Sequence, residues 1–166
     1  MNFEAFEQQF DENRQFFTVG VNLFNKAYLF YSRRIGGTPK NYTNANLDDL
    51  SNTTQSFTRM LNATKITGTT ANNLSMSVLN AITASNFISG TDSSGNPVEV
   101  LTEPLTNYNV FAFDQRLNGN SSIGFINTNV LRSNEEGAAR DANVTAVKTN
   151  LNFLNNSHFL NAAIGR

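Results

Sequence analysis

The chain has no cysteine, no tryptophan, three prolines and a single histidine among its 166 residues. Without cysteine there is no disulfide framework, no thiolate metal site and no thiol nucleophile. A lone His158 cannot assemble a zinc site. A Ser-His-Asp triad would have to recruit His158, and there is no Gly-x-Ser-x-Gly elbow for its serine. Charge is also scarce. Asp, Glu, Lys and Arg make up 15% of the residues, against about a quarter in ordinary soluble domains. The net charge of −1 excludes the basic footprint of a nucleic-acid binder. No apolar run has the length of a spanning helix, which excludes a helical membrane protein. The start, Met1-Asn2-Phe3-Glu4-Ala5-Phe6-Glu7, lacks the basic-then-apolar layout of a signal peptide.

What fills the space is small, polar and neutral. Asn, Thr and Ser together supply roughly a third of the chain, and there are fourteen Phe. From residue 59 onward the chain falls into strand-length segments at 59–67, 74–87, 107–117, 121–132, 143–154 and 158–166. The connections between them alternate: a tight stretch at 68–73, a long polar loop at 88–105, a brief turn at 118–120, a charged loop at 133–141 and a turn at 155–157. In an up-and-down meander successive turns fall on opposite ends of the sheet. Alternating turn length therefore closes one end tightly and leaves long excursions at the other, as in outer-membrane barrels.

Side chains alternate across a strand, and the segments can be tested for it. In 143–154, Thr145, Val147, Thr149, Leu151 and Phe153 oppose Ala146, Lys148, Asn150 and Asn152. In 107–117, Phe111, Phe113 and Leu117 oppose Ala112, Asp114 and Arg116. Leu160, Ala162 and Ile164 oppose Asn161, Ala163 and Gly165, and Leu74, Met76 and Val78 oppose Ser75 and Ser77. Segments 59–67 and 121–132 alternate only weakly. The pattern predicts an all-β, antiparallel up-and-down meander forming part of a transmembrane outer-membrane β-barrel. A soluble sheet with one wet face has the same period. Segments of about nine to twelve residues suit a tilted bilayer crossing better than the shorter strands of globular sheets.

The first third differs in kind. Phe3, Phe6 and Phe10 have helical spacing, Phe16–Gly20 and Tyr28–Ser32 read as short strands, and 41–56 reads as a loop. The division expected is an N-terminal segment, 1–56, bracing a lumen or rim, followed by a meander, 57–166. Arg14, Arg33 and Arg34, with Asp11 and Glu12, form the best polar constellation. Arginine's planar fork suits an anionic ligand at the lumen or rim. With the acidic partners supplied nearby, a salt-bridge brace is the favoured reading of the same residues. Asp48-Asp49 and Glu135-Glu136 are adjacent in sequence and point apart, unlike the carboxyl pair of a glycosidase. No cofactor and no metal is expected.

The run Phe10-Asp11-Glu12-Asn13-Arg14-Gln15-Phe16-Phe17, then Leu23-Phe24, then Leu29-Phe30-Tyr31-Ser32-Arg33-Arg34-Ile35-Gly36, resembles a Bacteroidota outer-membrane family. Further matching blocks are Ala63–Gly68, Val78–Thr83, Glu103–Tyr108 and Asn120–Gly124, and Gln15 departs from the proline expected there. In that family a barrel domain of unknown function follows a signal peptide and a family-nine-like carbohydrate-binding domain. The resemblance implies a bacterial outer-membrane location and contact with outer-membrane lipid. It also leaves room for a carbohydrate ligand and an envelope protein complex, with no nucleic acid. The chain would then be the front part of a longer protein. Its role would be non-enzymatic, with a membrane-associated hydrolase, as some members are labelled, or a soluble β-rich binding module as the alternatives.

Overall fold

The computed structural model describes residues 12–18, 23–24, 30–38, 49–50, 57–91, 94–117, 120–133, 141–153 and 158–165. Among the described residues there are nine strands, in chain order β1 (Asp49–Leu50), β2 (Met60–Thr69), β3 (Leu74–Thr83), β4 (Asn86–Thr91), β5 (Pro97–Glu103), β6 (Thr106–Arg116), β7 (Ser122–Arg132), β8 (Ala142–Phe153) and β9 (His158–Gly165). Six of them make one sheet in the order β2-β3-β6-β7-β8-β9, and β1-β4-β5 make a second. Every pairing is antiparallel. The described strands form no closed barrel; β2 and β9 are the two edges of the large sheet.

The strands of the large sheet lie where the alternation put them, within a few residues at each end. Their short connections are tight because asparagine accepts the left-handed backbone a turn needs. Asn73 has φ 60° and Asn120 φ 61°. The amide of Thr70 donates to the Leu74 carbonyl at 2.9 Å, and that of Leu117 donates to the Ser121 carbonyl at 2.8 Å.

The long loop expected at 88–105 is instead mostly a hairpin, β4 and β5. The segment read as one strand over 74–87 breaks after Thr83. There the Ala84 amide turns to the Arg59 carbonyl at 2.9 Å, and the Ser85 hydroxyl accepts from the Leu105 amide at 3.1 Å. The hairpin has a period of its own, with Ile88 buried between exposed Phe87 and Ser89, and Val98 and Val100 less exposed than Glu99. Serine, glycine and proline near its tip obscure that period in the sequence. Gly95 there has φ 80°, which glycine adopts without steric cost.

The N-terminal elements also differ from expectation. Gln15–Thr18 is one turn of α-helix, not strand. It closes because the amides of Phe17 and Thr18 both donate to the Arg14 carbonyl and the Thr18 hydroxyl caps the Gln15 carbonyl. Ser32–Arg34 is a 3-10 turn. The helix-spaced Phe3, Phe6 and Phe10 and, apart from Asp49–Leu50, most of 41–56 lie outside the described residues.

The core joins the two parts. Phe17, Phe24, Phe30 and Ile35 pack with Leu79, Ala81, Tyr108, Val110, Ala112, Ile126, Val130 and Ala146, all buried. The small residues Ala81, Ala112 and Ala146 share this buried cluster with the phenylalanine rings. Phe24 and Phe30 lie with ring centroids 5.7 Å apart.

Candidate functional site

The large sheet has two unlike faces, and the register defines both. Directly opposed residues in antiparallel strands share a face. The inner face, under the N-terminal segment, carries Leu79, Ala81, Tyr108, Val110, Ala112, Ile126, Thr128 and Val130. The outer face is built of cross-strand rows. Leu74, Gln115, Ile123 and Thr149 form one; Met76, Phe113, Phe125 and Val147 the next; Val78, Phe111, Asn127 and Thr145 the third. The third row continues onto β2 at Ile66, which is 68% exposed. Phe111, Phe113, Ile123, Phe125, Leu131 and Val147 are all exposed as well.

Over β2, β3, β6, β7 and β8 this outer face carries no Asp, Glu, Lys or Arg. The charges of those strands, Lys65, Asp114, Arg116, Arg132 and Lys148, belong to the opposite face. Sequence alternation anticipates this for Phe111 and Phe113 against Asp114. It misses the completeness of the separation, because rows become visible only once the register is known.

The fourth outer row is entirely asparagine: Asn80, Asn109, Asn129 and Asn143 stand opposite one another on β3, β6, β7 and β8. Asn80 Nδ2 donates to Asn107 Oδ1 at 2.7 Å and to Asn109 Oδ1 at 2.8 Å. Asn127 Nδ2 donates to Asn143 Oδ1 at 3.1 Å and to Thr145 Oγ1 at 2.7 Å. The Asn-x-Asn repeats at 107/109 and 127/129 were the available signal. They weaken the alternation of β7 in sequence, although its burial alternates cleanly in the fold.

Arg14, Arg33 and Arg34 fall at the N-terminal brace. Arg14 meets Glu12 in a two-pronged ion pair, Nε to Oε1 at 2.9 Å and Nη2 to Oε2 at 2.8 Å. Its remaining donors reach the carbonyls of Ile35 at 2.8 Å and Ser32 at 2.9 Å. Its guanidinium also lies 4.3 Å from the centre of the Phe17 ring. The Ser32 hydroxyl completes the cluster by donating to Glu12 at 2.6 Å. These bonds, above all the one from the Arg14 guanidinium, hold the Glu12 carboxyl at a pKa of about 2, against 4.5 ordinarily. Thus the segment Ser32–Ile35 binds Arg14 through its backbone. Arg33, exposed, and Arg34, partly buried, sit on that turn. Gly36 has φ 71°, and an added Cβ there would approach the Thr58 carbonyl to 3.1 Å. The left-handed backbone and the close carbonyl both favour glycine there.

Other polar groups occupy the inner face. Gly124 stands between Asp114 and Lys148 in one row, and a Cβ on it would meet Asp114 Oδ2 at 3.4 Å. The cleft beside it, lined in part by Leu23, Ile126, Ala146 and Lys148, has a volume of about 10 Å³, room for a water at most. Where the hairpin joins the sheet, Thr83, Asn86, Thr102, Glu103, Thr106 and Tyr108 are buried together. There the Thr102 hydroxyl donates to the Asn86 carbonyl at 3.0 Å. Sequence reading left Glu103 and Tyr108 unassigned. Among the described residues no group of three His, Cys, Asp or Glu could hold a metal ion. Among the same residues no helix is long and apolar enough to cross a membrane, which says nothing of strands.

Residues 1–165 match the model of a domain of unknown function, DUF5916, and the chain belongs to that family. No curated protein and no solved structure matches it.

Proposed function

We propose that this DUF5916 chain forms part of the wall of an outer-membrane β-barrel, with its outer face against lipid and its N-terminal segment braced on the lumen side. The observation that carries the reading is the charge-free outer face of β2, β3, β6, β7 and β8. A sheet face turned to water keeps its charged side chains there, whereas a lipid-facing band excludes them. The rows from Leu74 to Ile82 rise about 27 Å along the strand. At a tilt of about 40° that is roughly 21 Å of height, close to the apolar band of such barrels, about 25 Å.

The role is architectural rather than catalytic. The chain supplies wall to an envelope protein that handles carbohydrate or another envelope ligand, or that joins an envelope complex, as the family resemblance implies. The test is refolding into lipid vesicles, followed by gel migration before and after boiling and by far-UV circular dichroism, against plain buffer. A β-rich, heat-modifiable form that appears only with lipid is expected. A monomeric β-rich protein in plain buffer would overturn the reading in favour of a soluble binding module.

A further inference from the structure

The outer face stops being free of charge just past its last row. Ile82, Asn107 and Leu131 form that row, at the end of the sheet from which the long connections 84–105 and 133–141 leave. One step further, the Ala84 amide donates to the Arg59 carbonyl and the Ser133 amide to the Leu105 carbonyl, both at 2.9 Å. Met60, the next residue after Arg59, packs on the core of the inner face. The alternation therefore turns Arg59 outward, and its side chain is exposed. No hydrogen bond, ion pair or ring contact engages its guanidinium among the described residues. Exposed apolar side chains lie at the same end: Phe57 at 70%, Leu131 at 45% and Leu105 at 39%.

We infer that Arg59 anchors the wall to a lipid headgroup: its guanidinium binds the phosphate of an anionic lipid in the leaflet at the long-connection end. The inference rests on the lipid-facing reading above. The rows from Leu74 to Ile82 account for roughly 21 Å of height, and one more row at the same tilt adds about 5 Å. Arg59 therefore stands about 26 Å up, where an apolar band of about 25 Å gives way to headgroups. A guanidinium left in hydrocarbon is costly, and its long stem lets the charged head reach the polar layer. There its planar fork fits two phosphate oxygens at once. The donors of Arg14 are spent within the protein, whereas those of Arg59 are open to such a ligand. Aromatic and apolar side chains such as Phe57, Leu105 and Leu131 suit the same level, since aromatic girdles flank the apolar band of barrels. Charge favours an anion here as well. Asp141, at the same end of the sheet, is four strand spacings from Arg59, about 19 Å, and its carboxylate accepts from the Arg132 amide at 2.8 Å.

The test is to refold the chain into vesicles of phosphatidylcholine, with and without phosphatidylglycerol, and to titrate the heat-modifiable form with urea in each. The anionic lipid should raise the folded-to-unfolded ratio roughly fivefold more for the wild-type chain than for Arg59→Gln, the contribution of one cation near an anionic surface. Arg59→Lys keeps the charge without the fork and should retain part of that gain. Arg116→Gln is the control. Its side chain is likewise exposed and without a partner among the described residues, but it belongs to the opposite face at the short-turn end. The gain should persist in full there. Equal stability in the two kinds of vesicle, a gain that Arg59→Gln keeps, or one that Arg116→Gln loses equally overturns the anchor and leaves the barrel reading standing. So does an equal gain from inorganic phosphate added to phosphatidylcholine vesicles, which would make this a site for a free anion. Failure to become heat-modifiable in any vesicle removes the barrel reading itself, and the anchor falls with it.

Discussion

At the scale of single residues, Glu12 and Arg14 show how a short, charged stretch is held on an otherwise apolar assembly. Arg14 spends its donors on one carboxylate and two backbone carbonyls, so little of its hydrogen-bonding capacity remains for a ligand. Because Glu12 has a folded-state pKa of about 2 against 4.5 when free, the unfolded segment binds the proton more readily. The stabilisation is therefore complete above about pH 4.5 and is lost as the pH falls through that value toward 2. Hydrogen-exchange protection of residues 12–18 should decline across that window. Glu12→Gln should lower the protection at neutral pH and flatten its acid dependence. An unchanged acid profile in the variant would show that another group carries the effect.

Among the elements, β6 and β7 show why two faces of one strand respond differently to the same chemistry. Phe113 and Phe125 are directly opposed on the outer face with ring centroids 6.1 Å apart. One residue away, Ala112 and Ile126 are opposed and buried on the inner face. If the outer face meets lipid, Phe113→Lys places a charge within the apolar band. The expected cost is about 2–4 kcal/mol in vesicles, the depth-dependent penalty for such barrels. Urea titration of the folded fraction would measure it. In detergent-free buffer, a soluble sheet would instead tolerate or welcome the lysine, since an exposed position on a wet face costs within about 0.5 kcal/mol. The sign and size of the difference between the two media therefore separate lipid-facing from water-facing wall.

On the scale of the molecule, the large sheet combines a charge-free face with two edges, β2 and β9, that have no strand beside them among the described residues. Open edges expose backbone donors and acceptors that pair with other chains. An apolar surface of this extent adds a second route to association. In plain buffer the chain should therefore scatter light as soluble aggregates, and detergent micelles should disperse them. Static light scattering with and without detergent checks this. A clear monomer without detergent would count against the lipid-facing assignment.

The positions of the six strands of the large sheet and their antiparallel order were legible in the sequence. Each is encoded locally, by period-two alternation and by asparagine and glycine at turns. The same local signals concealed the β4–β5 hairpin behind its polar tip. They also mistook the aromatic pair Phe16-Phe17 for strand, because one helical turn leaves too short a pattern to recognise. The pairing of Arg14 with a nearby acid was legible in the sequence, whereas the use of the Ser32 and Ile35 carbonyls was not. Backbone acceptors leave no trace in residue identity. Only the tertiary structure decided that five strands keep every charge on one face and that four asparagines from separate strands stand in a single row. Those facts depend on register, which couples residues far apart in the chain and is set by the packing of Phe17, Phe24, Phe30 and Ile35 against the inner face as well as by the strands themselves.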